Sequence, residues 1–152
     1  MNTLKRKLFA LDKISVLKNA ELDSTLVQHK EADRKLGKIE KNINELELEI
    51  EKLEETLHSF SSAGKTLSLN DYIMTVSVLK QKADIQHNNK RQYEFAKTKC
   101  DKIKSSIALQ NLTLRGIDNL REREKQIIST EIANKEQKQQ DEEWLHRDEI
   151  LS

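Results

Sequence analysis

A strict heptad of apolar residues runs between positions 36 and 60 of this 152-residue chain. The spacing alternates between three and four residues, through Leu36, Ile39, Ile43, Leu46, Ile50, Leu53, Leu57 and Phe60. This period places all eight side chains on one narrow stripe of an α-helix, and such a stripe is buried by packing against another helix. The heptad therefore predicts a coiled coil, and it makes contact between helices the main constraint on the fold.

The composition agrees with long, exposed helices. The chain has no proline, three glycines and 4% aromatic residues, while 35% of its residues are charged. A net charge of +1 gives no overall field that would attract nucleic acid or an anionic membrane. No apolar run is long enough for a membrane span, and Lys5, Arg6 and Lys7 interrupt the apolar residues near the start. We expect a soluble cytoplasmic protein without nucleic-acid binding or membrane insertion.

The pattern divides the chain into two predicted helices. Helix 1 is expected over about residues 4–60 and helix 2 over about 69–148, joined by a turn at 61–68 that is rich in small residues. Ser68 and Asp71 form a capping-box variant at the start of helix 2. Two complementary stripes joined by a short turn predict an all-α fold, a single long antiparallel two-helix coiled-coil hairpin over the whole chain.

The expected pairing leaves part of helix 2 without a partner. Folding about residue 64 pairs position i with roughly position 130 − i, so residues beyond about 130 would overhang. We predict an overhanging C-terminal helix that carries the only tryptophan, Trp144. A disordered tail is the alternative.

The two stripes are expected to be imperfect. In helix 1 the register falters where Ser15 and Lys18 occupy seam positions while Ile14 and Leu17 lie beside them. In helix 2 a polar interruption covers residues 86–92. The predicted stripe of helix 2 consists of Tyr72, Val76, Leu79, Ala83, Tyr93, Ala96, Cys100, Ile103, Ile107, Gln110, Leu114, Ile117 and Ile128.

No residue pattern indicates catalysis. Ala63-Gly64-Lys65-Thr66 resembles the end of a phosphate-binding loop, but the glycine required five residues before Gly64 is Ser59, and a helix rather than a strand precedes the turn. The four histidines show no metal-ligand spacing. His29 is interpreted as a polar seam residue that fixes the register, and Cys100 as a small core residue. We expect a chain that is not an enzyme and that uses no cofactor and no metal.

Two surfaces exceed what a coiled hairpin requires. The first is an excess of apolar residues just after the turn, which indicates either a docking patch or tighter packing against the turn. The second is a basic open end, where Lys5, Arg6 and Lys7 would lie near Arg121, Arg123 and Lys125. Such charge serves either solubility and pairing between the helices or a specific partner.

The chain resembles the YscO/FliJ proteins of type III secretion and flagellar export. The resemblance rests on the basic N-terminus with Leu4, Leu8 and Leu11, the charged heptad helix and the long second helix rich in Glu, Gln and Lys. It is closest around the turn, in Leu67-Ser68-Leu69-Asn70-Asp71-Tyr72-Ile73 with the Lys80-Gln81 that follows. It covers most of the chain in length and layout.

The resemblance implies a non-enzymatic central stalk at the cytoplasmic face of the inner membrane. The resemblance also implies paired ends placed in the pore of a hexameric export ATPase, contact with the export-gate membrane protein, and secretion chaperones as further candidate partners. Carried over by position, the ATPase-facing residues would be Lys5, Arg6, Leu8, Leu11, Arg121 and Arg123. The gate-facing residues would be Tyr72, Ile73, Val76, Leu79 and Ala83.

Two other functions remain open on the sequence alone. A homo-oligomeric coiled-coil scaffold would use the same heptad between chains rather than within one chain. A prefoldin-like chaperone subunit would carry β-hairpin material between its helices, for which residues 61–67 are too few.

Overall fold

Two long helices make up the described part of the chain. The computed structural model describes residues 2–62 and 69–151. Helix α1 covers Asn2–Ser62 and helix α2 covers Leu69–Leu151, where about 4–60 and 69–148 are expected from the sequence. The predicted turn, including Ser68 and the loop-like Ala63–Thr66 segment, falls mainly at 63–68, outside the described residues. The all-α class, with two long helices packed against each other, is confirmed.

The chain divides into two compact units, and both helices contribute to each of them. Unit 1 consists of Met1–Thr25 and Ser106–Ser152, and unit 2 consists of Leu26–Ser105. In both units a stretch of α1 packs antiparallel to a stretch of α2. In unit 2, Glu49 contacts Lys82 and the earlier residue His29 contacts the later residue Cys100. In unit 1, Thr25 contacts Gln110 and Asp12 contacts Arg121.

The heptad of α1 forms the interior of unit 2. All eight of its members, from Leu36 to Phe60, are half-buried, and every other residue of that stretch is exposed. The side facing them in α2 follows the same period, through Thr75, Leu79, Lys82, Gln86, Asn89, Tyr93, Ala96, Cys100 and Ile103. Lys82 forms an ion pair with Glu49, and the Sγ atom of Cys100 lies 3.7 Å from Nε2 of His29. The polar interruption therefore keeps its place in the seam, with Gln86 and Asn89 at half-buried positions.

The start of α2 differs from the prediction. Leu79 lies in the seam, but Tyr72, Val76 and Ala83 are exposed, and Thr75 and Lys82 take the half-buried positions instead. The seam is one to two residues wide, whereas this segment has apolar residues on several sides of the helix. Hydrophobicity alone cannot select the register there, and the pairing further along α2 decides it.

Unit 1 has a more polar interior. Leu114 and Ile117 are its buried apolar residues, and Ser15 is buried beside them at 6% exposure. The Gln110 side-chain amide donates a hydrogen bond to the Thr25 hydroxyl at 3.0 Å. The Ser15 hydroxyl accepts a hydrogen bond from the Asn19 side-chain amide at 3.4 Å, whereas the Gln110 side-chain oxygen is buried without a hydrogen-bond partner among the described residues.

The prediction that Ser15 and Lys18 occupy seam positions of helix 1 is confirmed, since Ser15 is buried and Lys18 is half-buried. Half-buried or buried positions continue at three- and four-residue steps through Leu4, Leu8, Leu11, Ser15, Lys18, Leu22, Thr25, His29 and Ala32. Ile14 and Leu17, which compete for the seam by hydrophobicity, are 42% and 64% exposed. The regular heptads that follow in the same helix fix which side faces the partner, and the polar side chains are carried into the seam with it.

The last part of α2 has no cover from α1. Each described residue from 129 to 150 is exposed, including Trp144 and Leu145 at 67% and 64%. The segment is helical rather than irregular and would be about 33 Å long at 1.5 Å per residue. Exposed polar helices are supported by pairs one turn apart, and the Gln137 amide donates such a bond to Asp141.

Candidate functional site

The basic open end belongs to unit 1 and contains two kinds of side chain. Lys5, Arg6 and Arg123 are exposed. Leu8 and Leu11 are half-buried members of the seam. Of the six residues expected to face the ATPase, three are therefore available on the surface and two support the helix pairing beneath them.

Arg121 is the sixth of these residues, and it is held within the unit. Its guanidinium donates from Nε to Asp12 at 2.7 Å and from Nη1 to Asp118 at 3.4 Å, and its side chain is only 29% exposed. A charge engaged by two carboxylates contributes less to an outward field than Lys5 or Arg6. Arg121 thus helps to fix the pairing of α1 with α2 at this end.

The post-turn patch belongs to unit 2. Tyr72, Ile73 and Val76 are 48%, 55% and 39% exposed, and Ala83 is exposed with them, whereas Leu79 is half-buried in the seam. Met74 and Val78, at 66% and 37%, add to the exposed apolar surface. Clusters of exposed apolar residues on an otherwise polar helix are typical of contact surfaces. Four of the five expected gate-facing residues therefore lie on the surface.

The chain carries four histidines and one cysteine, residue types that commonly bind metals. Within 2–62 and 69–151, no three His, Cys, Asp or Glu side chains come together as a metal site would require. Cys100 is 1% exposed in the seam against His29, so its interpretation as a core residue is confirmed. No described helix is long and apolar enough to cross a membrane.

One ion pair on the surface shifts two pKa values. Arg34 donates to both carboxylate oxygens of Glu31, at 3.1 and 2.7 Å. The hydrogen bond from Arg34 lowers the pKa of Glu31, and Glu31 raises the pKa of Arg34. Both side chains are exposed, so this pair marks a solvated helix face rather than a reactive site.

A groove in unit 2 is a feature that the sequence patterns did not indicate. Its volume is about 420 Å³, and both helices line it, through Val27, Gln28, Glu31, Ala32, Lys35, Ala96, Lys99 and Ile103. Alanine at two seam positions, Ala32 and Ala96, leaves space that leucine would fill. The two alanines were the sequence signal for this groove. From the sequence alone, however, they indicate only that fewer apolar atoms fill the seam at these positions.

Comparison with known families gives a match over nearly the whole chain. The family model described as Flagellar FliJ protein matches residues 7–147. The chain belongs to the FliJ family. No curated protein and no solved structure is significantly similar to it.

Membership of the FliJ family sets the general role of the chain. The chain is a component of a flagellar-type protein export apparatus, and the FliJ family is a non-enzymatic part of that apparatus. The resemblance drawn from the turn region and the heptads is confirmed at this level. The fold agrees with this assignment, because the described residues form two long helices packed against each other.

Proposed function

We propose that this chain is a central stalk of its export apparatus, with the open end bound to a hexameric export ATPase and the post-turn patch bound to the export gate. The ATPase would perform the energy conversion at the cytoplasmic face of the inner membrane. The chain would transmit the ATPase cycle to the gate, with secretion chaperones as further candidate partners. The observation that carries this proposal is the match to the FliJ family over residues 7–147.

The surface of the open end supports the ATPase contact. Lys5, Arg6 and Arg123 are free to meet an acidic lining, while Leu8 and Leu11 hold the two helices together directly beneath. In the pore of a ring, several identical subunits surround one stalk that lacks their symmetry. Charge attraction tolerates this mismatch better than close shape complementarity does. Electrostatic attraction also speeds the encounter of the two proteins.

The ATPase contact is tested with the export ATPase of the same organism. The full chain is mixed with the ATPase, and hexamer formation and ATP turnover are measured. The triple variant Lys5→Glu, Arg6→Glu and Arg123→Glu should abolish stimulation while circular dichroism shows an unchanged helix content. The matched control reverses the exposed residues Lys90, Lys97 and Lys104, which lie in unit 2, and should stimulate normally. Absence of binding by the native chain refutes this part of the proposal.

The gate contact is tested separately with the soluble domain of the export-gate protein. Ile73→Asp and Val76→Asp place charges on the exposed patch without touching the half-buried Leu79. We expect binding to fall by about tenfold or more, because a charge in an apolar contact is costly to desolvate. Leu48→Asp is the control for Ile73→Asp, since Leu48 lies on α1 and is 58% exposed against 55% for Ile73. Equal losses for patch and control would contradict the assignment.

A homo-oligomeric scaffold is the competing function. It requires the heptads to pair between chains, whereas in both units α1 packs against α2 of the same chain. Size-exclusion chromatography with light scattering separates the two. A strict dimer whose seam residues crosslink between chains would refute the stalk.

A further inference from the structure

The groove in unit 2 has the form of a side-chain receptacle. Its base consists of Ala32, Ala96 and Ile103, all half-buried members of the seam. Val27 stands at its edge and is 69% exposed. An apolar base with open access leaves about 420 Å³ that the two helices themselves do not fill.

The groove continues along the same side of the unit. A second hollow shares Ala96 with it and is also lined by Ile39, Gln92 and Phe95. Phe95 is 77% exposed and therefore takes no part in the pairing of α1 with α2. From residue 27 to residue 39 the surface extends for about 18 Å along α1, the length of three helical turns.

Three of the four charged residues that line the two hollows are cationic. Lys35 and Lys99 line it, and Arg91 lines the second hollow. Lys38 and Lys102 lie three residues after Lys35 and Lys99 and therefore on the same helix faces. Among the residues that line the two hollows, Glu31 is the carboxylate, and Arg34 occupies both of its oxygens.

We propose that this groove binds an acidic amphipathic helix of a partner protein. Bulky apolar side chains of that helix enter the space beside Ala32 and Ala96 and pack on Phe95. Its glutamates or aspartates then meet Lys35 and Lys99 at the rim. Burial of an apolar stripe provides the affinity, and the opposite charge selects the partner.

A second copy of the chain fits this surface less well. Two copies joined through the groove would bring the same lysines and arginine into one interface, and like charges facing each other oppose association. The proposal uses neither the open end nor the post-turn patch. It therefore stands independently of the proposed stalk function.

The direct test uses two synthetic peptides of about 18 residues, the length that spans the groove with one turn at each end. Both carry leucines at alternating three- and four-residue spacing. One has glutamates and the other has lysines at the flanking positions. The fluorescently labelled peptides are titrated with the full chain at low salt, and anisotropy is measured. We expect the acidic peptide to bind and the basic peptide not to bind.

Matched variants then locate the binding surface. The double variant Lys35→Glu and Lys99→Glu should weaken binding of the acidic peptide by at least about tenfold. The control variant Lys90→Glu and Lys97→Glu makes the same charge change at exposed positions outside the groove. It should change the affinity by less than about twofold. Ala96→Leu fills the hollow and should also abolish binding. Circular dichroism melting confirms that each variant is folded.

Three results would overturn the proposal. Equal binding of the two peptides would mean that charge selects nothing. An equal loss of affinity in the two double lysine variants would mean that the peptide binds outside the groove. A stable dimer in light scattering that Ala96→Leu dissolves would assign the groove to a second copy of the chain.

Discussion

Two leucines that lie two residues apart in α2 should respond very differently to truncation. Leu114 is 8% exposed in the interior of unit 1, whereas Leu112 is 64% exposed on the same helix. Leucine-to-alanine substitution changes the helix propensity of both positions similarly. The difference between the two variants therefore measures burial in the seam.

The expected magnitude follows from the buried groups. Truncation of Leu114 removes three carbon groups, each worth about 0.8 kcal/mol when buried, which gives about 2 kcal/mol. The residual cavity adds to this loss, but two helices can close around a small void more easily than a globular core can. We expect a total of about 2–3 kcal/mol, at the lower end of the range for buried leucines. Leu112→Ala should change the free energy of unfolding by less than about 0.5 kcal/mol.

The assay must resolve unit 1 from unit 2. Urea unfolding followed by circular dichroism gives the free energy only if the chain unfolds in one step. Hydrogen exchange measured on peptides from residues 106–128 reports on the affected stretch directly. Similar losses for Leu112→Ala and Leu114→Ala would refute the assigned seam.

Three further predictions concern single side chains. Thr25→Val should lower the free energy of unfolding in urea by about 1–2 kcal/mol, because it leaves the Gln110 amide unpaired. Adding Gln110→Leu to this variant should recover the lost stability. Additive losses from the two substitutions would contradict the proposed pairing. Cys100 should react with a thiol reagent only after unfolding, and rapid labelling of the native chain would contradict its burial. The folded-state pKa of Glu31 is lowered by Arg34, so the pair stabilises the helix above the ordinary carboxyl range and loses this effect as the pH falls through the lowered value. A carboxyl NMR titration should show that lowered pKa, and Arg34→Gln should return it to normal.

The apolar heptads were predictable because each seam position has one obvious occupant. Between Leu36 and Phe60 no second stripe competes, so periodicity alone selects the buried side. In α2 from Tyr93 to Ile117, every residue of the predicted stripe is half-buried or buried. Membership of the FliJ family was likewise visible in the layout of the chain.

The failures arose where local hydrophobicity and the register of the whole helix disagree. Val76 is more apolar than Thr75, yet the threonine faces the partner helix. A stiff helix cannot rotate for one residue, so each position inherits its orientation from the heptads around it. The groove escaped prediction for a different reason, because empty space depends on side chains from both helices together.

The polar contacts inside unit 1 determine how its helices can move along each other. A uniform stripe of leucine and isoleucine packs almost equally well after a slide of one heptad, which is about 10 Å at helical rise. The bonds from Gln110 to Thr25 and from Arg121 to Asp12 do not survive such a slide, since neither donor would find a similar acceptor one heptad away. An axial push on one helix of this unit is therefore carried to the other without slippage.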